Sequence, residues 1–188
     1  MRRTFLALAV AVALVLGGVS RADVQRYVVA GACRGGQPNG AYELKMPDGR
    51  VRVVGAFAKG RRTGTFIFWA ANGQRVAVIP YDEDVKSGTV ATWYAEAVTR
   101  GDLRRKLEAS YVRDVLHGLT RSWYASGRLR GEYRYEQGAL VEASGWAENG
   151  ARLQEVEARR MAGVDRAAAE KFYADLEQVV AENLPLCG

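Results

Sequence analysis

Histidine occurs once in this 188-residue chain, at position 117, and cysteine twice, at 33 and 187. A lone histidine excludes any site built on two imidazoles and leaves near-neutral imidazole chemistry to His117 alone. Its place beside Gly118, at a junction between sequence units, reads as a turn or surface residue. Two cysteines and one histidine also fall short of a zinc-ligand pattern. Gly-x-Ser-x-Gly and the glycine–lysine phosphate loop are both missing. Asp82-Glu83-Asp84 is a dense acidic run, but it lacks the ordered ligand spacing of a calcium loop and reads as a solvated turn. Paired carboxylates for glycoside chemistry are defined by their separation in space, and the sequence singles out no such pair. No catalytic residue, metal or cofactor is expected, which makes an envelope hydrolase the least supported reading.

Long apolar runs are equally scarce. The one at Leu6 to Leu16 follows Arg2 and Arg3 and precedes Ser20-Arg21-Ala22, a small-x-small pattern before Asp23. It is too short for a comfortable membrane span, so residues 1–22 read as an export signal, with a retained anchor as the alternative. Arg2-Arg3-Thr4-Phe5-Leu6 also resembles a twin-arginine signal, although the short basic region favours general secretion. Without this segment the formal charge falls from +6 to +3, because Arg2, Arg3 and Arg21 leave and no acid does. A mildly basic chain lacks the clustered positive face of a nucleic-acid binder. Lys59-Gly60-Arg61-Arg62 and Arg104-Arg105-Lys106 read as solvated loops. Cys33 lies too far beyond the apolar run for a lipid-modified cysteine. Cys33 and Cys187 bracket the rest of the chain and read as a disulfide formed in an oxidising compartment.

What the sequence does have is a repeat. Trp69, Trp93, Trp123 and Trp146 stand at intervals of 24, 30 and 23 residues. Gly64 to Gly73, Gly88 to Ala97 and Gly118 to Gly127 each open with glycine and carry tryptophan five residues on. The frame extends back to Gly40–Gly49, where Lys45 takes the tryptophan position, and forward to Trp146–Gly150, where the leading glycine is missing. About five units fill residues 40–150. Alternation in Arg50-Val51-Arg52-Val53 and Gly131-Glu132-Tyr133-Arg134-Tyr135-Glu136 predicts half-buried antiparallel strands. Asp48-Gly49, Asn72-Gly73, Ser126-Gly127 and Asn149-Gly150 predict tight primed turns, and stretches such as Ala58 to Gly64 predict looser returns. The third unit is longer: Gly101 comes eight residues after Trp93, and Asp102 to Ala109 favours helix. Either an extended hairpin tip or a small helical insertion accounts for it.

After Gly150 the period becomes helical. Asp165 is placed to cap a helix running to about Asn183, with Phe172, Leu176, Val179 and Val180 as its apolar stripe. A charged stretch from Leu153 to Met161 leads into it, and Pro185 and Gly188 fit its termination. This helix is expected to cap the array, with Cys187 pinning it.

The pattern Gly-x4-aromatic-x2-[Asn/Asp/Ser]-Gly resembles the MORN-variant repeat, close to the bacterial antitoxin-like YwqK group, over residues 40–150. The resemblance implies a twisted sheet of antiparallel β-hairpins used for binding or scaffolding. Family members have been grouped with toxin–antitoxin systems. The expected organisation is a signal peptide (1–22), a mainly β hairpin-repeat domain (23–150) and a C-terminal helical cap (151–188). The tryptophan column reads as a stacking spine, or as aromatic platforms among Arg121, Arg128, Arg130 and Arg134. Function is sought where the spacing breaks, at Trp93, Tyr94, Arg104, Arg105, Trp123 and Tyr124. The expected function is a periplasmic or secreted non-catalytic binding module for a protein or envelope glycan, with no nucleic acid and no stable membrane span. The alternative is an antitoxin or immunity-like partner of a toxin.

Overall fold

A computed structural model describes residues 27–96 and 104–188. The proposed export segment at 1–22 and the stretch at 101–103 lie outside the described residues. The rest is one open antiparallel sheet crossed by a single helix. The strands are β1 (Val28–Arg34), β2 (Gln37–Lys45), β3 (Val51–Ala58), β4 (Arg61–Trp69), β5 (Arg75–Asp82), β6 (Val85–Lys86), β7 (Gly88–Trp93), β8 (Arg105–Val112), β9 (Val115–Trp123), β10 (Leu129–Glu136) and β11 (Ala139–Gly145). They neighbour one another in chain order; β6 and β7 both pair with β5. The break between those two falls opposite Pro80, which has no N–H to give the ladder.

The leading glycine of each unit has a structural partner. Gly40, Gly64, Gly88 and Gly118 sit opposite Phe57, Tyr81, Tyr111 and Tyr135 on the neighbouring strand. All four rings are buried, so each unit sets an aromatic side chain beside a position that has none.

The two kinds of turn are the reverse of the sequence expectation. The returns are the tight primed turns: Lys59-Gly60, Glu83-Asp84, Arg113-Asp114 and Gln137-Gly138 all have positive φ at both central residues. At the Asn-Gly end only the glycine is left-handed, with φ of 86° at Gly49, 84° at Gly73, 85° at Gly127 and 90° at Gly150. There Gly49 N–H donates to Met46 O and Met46 N–H to Arg50 O, and the other three turns repeat this pair. That is a type I turn closed by a left-handed bulge residue. Asp48, Asn72 and Asn149 each accept the N–H two residues on, which holds their own φ negative.

Of the stretch that favours helix, the described part is strand from Arg105 onward. Arg105–Val112 is strand β8, paired with β7 on one side and β9 on the other. Leu107, Ala109 and Tyr111 are buried in the sheet, and that burial overrides the local helix preference. Trp93 pairs with Arg105 as Trp69 pairs with Arg75, so the register on either side of the third unit's extra residues is the same as in the unit before.

Beyond the sheet runs one helix, α1 (Glu155–Ala181), of 27 residues. Asp165 lies mid-helix and is not its cap. Gln154 takes that place, its N–H donating to the Glu157 carboxylate at 3.1 Å. Nothing between 155 and 164 is strong enough to stop a helix; Gly163 alone costs about 1 kcal/mol. At 1.5 Å per residue, α1 is about 40 Å long. Nine spacings of about 4.8 Å make the sheet roughly 43 Å wide. The helix therefore crosses every hairpin. Ala158 packs on Gly145, Tyr173 meets Tyr111 with ring centroids 6.2 Å apart, and Tyr42 donates its hydroxyl to Asn183 O at 2.9 Å. Pro185 then covers Gly31, and Cys187 is bonded to Cys33 across 154 residues. The core lies between: Leu44, Val53, Phe66, Phe68 and Ile79 from the sheet, Ala162, Tyr173, Leu176 and Val180 from the helix. Phe172 and Val179 complete the stripe, half-buried.

The bridge closes nearly the whole fold into one loop, so its removal by Cys33→Ser with Cys187→Ser frees the end of the strap. The chain-entropy relation gives a loss of about 5 kcal/mol as an upper value. Urea unfolding of the double variant should show a midpoint lowered accordingly; an unchanged midpoint would show that the helix needs no fastening.

Candidate functional site

The row of residues Val29, Leu44, Val53, Phe68, Ala77, Thr92, Leu107, Ser122, Gly131 and Gly145 runs across the helix face, each paired with the next. Each tryptophan follows a member of this row, as Trp69 follows Phe68 and Trp123 follows Ser122. Alternation therefore puts all four indoles on the opposite face. Trp93 and Trp123 form a ladder with arginines there. Arg75 lies 4.2 Å from the Trp93 ring centre, and Arg105 lies 5.3 Å from Trp93 and 6.0 Å from Trp123. Trp93 is only 7 % exposed, and the other three are half-buried. The middle of the column is thus a guanidinium–indole stack, and no tryptophan belongs to the main apolar cluster.

The six residues singled out at the spacing break divide between the faces. Trp93, Arg105 and the Trp123 indole belong to the outer ladder. Arg104 donates to Ala125 O at the hairpin ends. Tyr94 and Tyr124 turn back to the helix side, and each hydroxyl donates to the next unit, Tyr94 to Trp123 O at 2.8 Å and Tyr124 to Trp146 O at 2.9 Å. Of the other arginines, Arg121 and Arg134 pair with Glu132 and Glu142, and Arg128 donates to Glu148 O. Arg130 alone turns to the helix.

There it meets Asp165, the residue that the sequence places at a helix cap. Arg130 Nε donates to both carboxylate oxygens, at 3.0 and 3.3 Å. Ser122 Oγ donates to Asp165 Oδ2 at 2.6 Å, and the Tyr133 hydroxyl does so at 2.7 Å. Gly131 makes room for that phenol, since a Cβ there would fall 1.9 Å from the Tyr133 oxygen. Glu177 forms a second such point three turns on, accepting from Tyr81 at 2.8 Å and facing Lys86 at 3.3 Å and Arg62 at 3.5 Å. Twelve residues of helix hold these two carboxylates about 18 Å apart, beyond the separation of a glycosidase pair.

Beside Asp165 a cleft opens between α1 and strands β7–β10, with a volume of about 160 Å³. Leu107, Ala168, Ala169 and Phe172 line it, with Tyr94 and Tyr124 as aromatic walls and Lys106 and Arg130 as its cations. Lys106 reaches this side because it is the extra residue of the bulge between the Trp93–Arg105 and Thr92–Leu107 pairs. Its Nζ stands 5.7 Å from both the Tyr94 and Phe172 ring centres. Lys106 and Asp165 escape a motif search because a bulge and a helix register are properties of the fold.

Glu83 and Asp84 pair with Arg61 and Arg62, and no group of three His, Cys, Asp or Glu among the described residues is placed to hold a metal. His117 is exposed, its Nδ1 facing Gln137 N at 3.5 Å. The sequence matches no known family model and no curated protein.

Two predictions follow from the polar contacts of the helix. Asp165→Ala leaves Arg130 without its carboxylate and should cost about 2–3 kcal/mol, below the fully buried range because both partners keep some solvent contact. Gly131→Ala displaces Tyr133 from Asp165 and should cost about 1–3 kcal/mol. Urea midpoints measure both, and wild-type values would show that this cluster does not hold the helix. Burial also pushes the Tyr42 and Tyr111 phenols up to about 12, and raises Tyr81, Tyr133 and Tyr173 further. The folded state then holds more protons than the unfolded state above the ordinary tyrosine range near 10. Stability is full below about pH 10 and falls as pH rises through about 12. Phenolate absorbance at 295 nm should lag for these residues and appear together with unfolding. Titration of all tyrosines near 10 in the folded protein would contradict the buried geometry.

Proposed function

We propose that the protein is a non-catalytic binding module working outside the cytoplasm, in a periplasm or as a secreted protein. The cleft beneath α1 carries this reading: a largely apolar recess with a few convergent polar groups is the usual form of a small-ligand site. The scaffold around it is suited to holding such a recess open, since the helix that roofs it is fixed by Asp165, Glu177 and the Cys33–Cys187 bridge. A disulfide fits an oxidising compartment, and the apolar run after Arg2 and Arg3 fits export. No helix among the described residues is long and apolar enough to cross a membrane.

The antitoxin-like reading has its own support on the outer face, where tryptophan and arginine, the residue types enriched at protein-binding hot spots, stand together around Trp93. The two readings separate in one experiment. Mature protein is immobilised and challenged with cell-wall glycan and with an envelope protein extract. Saturable retention of glycan, reduced by Tyr124→Ala, supports the cleft. Retention of one stoichiometric protein, lost on Arg121→Glu, supports the outer face. Retention of neither, together with no binding of a small ligand in the cleft, counts against both, and turnover of an envelope substrate abolished by a single carboxylate substitution would overturn the non-catalytic reading.

A further inference from the structure

The cleft has more positive charge than its protein partners neutralise. Arg130 spends only Nε on Asp165, and its two terminal nitrogens donate to no described residue. Lys106 has no ion-pair partner among the described residues; its contacts are the faces of Tyr94 and Phe172. With Asp165 as the one carboxylate, the site carries a net charge of +1. Two free terminal nitrogens of a guanidinium form a fork that matches the two oxygens of a carboxylate.

The size and lining set the rest of the ligand. A cavity of about 150 Å³ holds a benzene ring, and this one measures about 160 Å³. Its walls are the rings of Tyr94, Tyr124 and Phe172 over a floor of Leu107, Ala168 and Ala169. Both tyrosine hydroxyls are spent on Trp123 and Trp146 carbonyls, which fixes the ring planes, and each ring carries one of the cations, Arg130 at 5.2 Å from the Tyr124 centre and Lys106 at 5.7 Å from that of Tyr94. We propose that the cleft binds a monocarboxylate with a single-ring body, the ring between Tyr94, Tyr124 and Phe172 and the carboxylate between the Arg130 fork and Lys106. This inference rests on the binding-module reading and narrows it to a ligand class. A free arylalkanoic acid and the C-terminal aromatic residue of a peptide both present this chemistry.

The mature disulfide-bonded protein is titrated with 3-phenylpropionate, its neutral amide, and N-acetylphenylalanine, followed by amide and side-chain NMR shifts. The acid should bind saturably with a dissociation constant on the order of 0.1–1 mM, with shifts at Tyr94, Lys106 and Tyr124. The amide should bind about tenfold or more weaker, because it cannot use the charge-assisted fork. Lys106→Met, an exposed position whose change leaves the Asp165 cluster intact, should weaken the acid about fivefold while leaving the amide unchanged. N-acetylphenylalanine binding as well as the free acid assigns the peptide C-terminus; its exclusion assigns the free acid. Equal binding of acid and amide, no saturation by about 10 mM, or an unaffected Lys106→Met variant would overturn the proposal. Retention of envelope material by both wild type and Lys106→Met, without phenylpropionate binding, would remove this inference and leave the binding module standing elsewhere on the surface.

Discussion

A single layer of sheet has one face to bury and nothing of its own to bury it against, so this fold depends on the helix laid across it. The near match between about 40 Å of helix and roughly 43 Å of sheet lets one element cover every hairpin. Apolar contact alone would not fix where it lies, because a helix rich in alanine on a face of tyrosine and leucine tolerates sliding by a turn. Asp165 and Glu177 remove that freedom. Each carboxylate has a phenol and a cation waiting at one place only, Tyr133 and Arg130 for the first, Tyr81 and Lys86 for the second. A slip of one turn, about 5.4 Å, breaks both sets at once. The disulfide then holds the last residues against β1.

The sheet keeps its own phase by bonds between units. The second residue of each primed turn donates to the strand before it, as Gly60 does to Pro38 O and Asp84 to Arg62 O. At the opposite end Arg50 donates to Ala71 O, Arg104 to Ala125 O and Arg128 to Glu148 O. Both ends are thus stitched to a neighbouring unit, which keeps the register on either side of the longer third unit. The pairing of Trp93 with Arg105 restores the register before the core is reached.

Much of this was legible in the residues. The tryptophan period marks the hairpins, the two-residue alternation marks the strands, and the helical stripe from Phe172 to Val180 marks the face that packs. The cysteine pair was visible from its position alone. The turn types were not, because Asn-Gly serves both a primed turn and a type I turn with a bulge; the residue count between paired positions decides, and that count needs the register. Asp165 was misplaced for a related reason. An aspartate before an alanine-rich run is a good cap in isolation, and only the phenol and guanidinium opposite make it a buried mid-helix contact. For Arg105 to Ala109 the local preference for helix was real, but two neighbouring strands and three buried side chains outweighed it.

The repeated row on the helix face explains why a cleft exists at all and why it lies where it does. From β2 to β4 that row carries Leu44, Val53 and Phe68, side chains large enough to fill the space under the helix. From β7 to β10 it carries Thr92, Ser122 and Gly131 beside Leu107, and the helix meets them with Ala168 and Ala169. Small residues on both layers leave a gap that close packing would otherwise remove. Two of the small ones are polar, and they turn to Asp165 and the backbone rather than to the apolar cluster. The bulge of the same unit brings Lys106 into the gap. Every unit carries such a bulge, with Arg52, Val76, Lys106 and Arg130 as the extra residues, so the later units differ in the small row on the helix face. The small helix-facing residues of the later units therefore make the site, and the tryptophans, shared by nearly all units, belong to the scaffold that holds it.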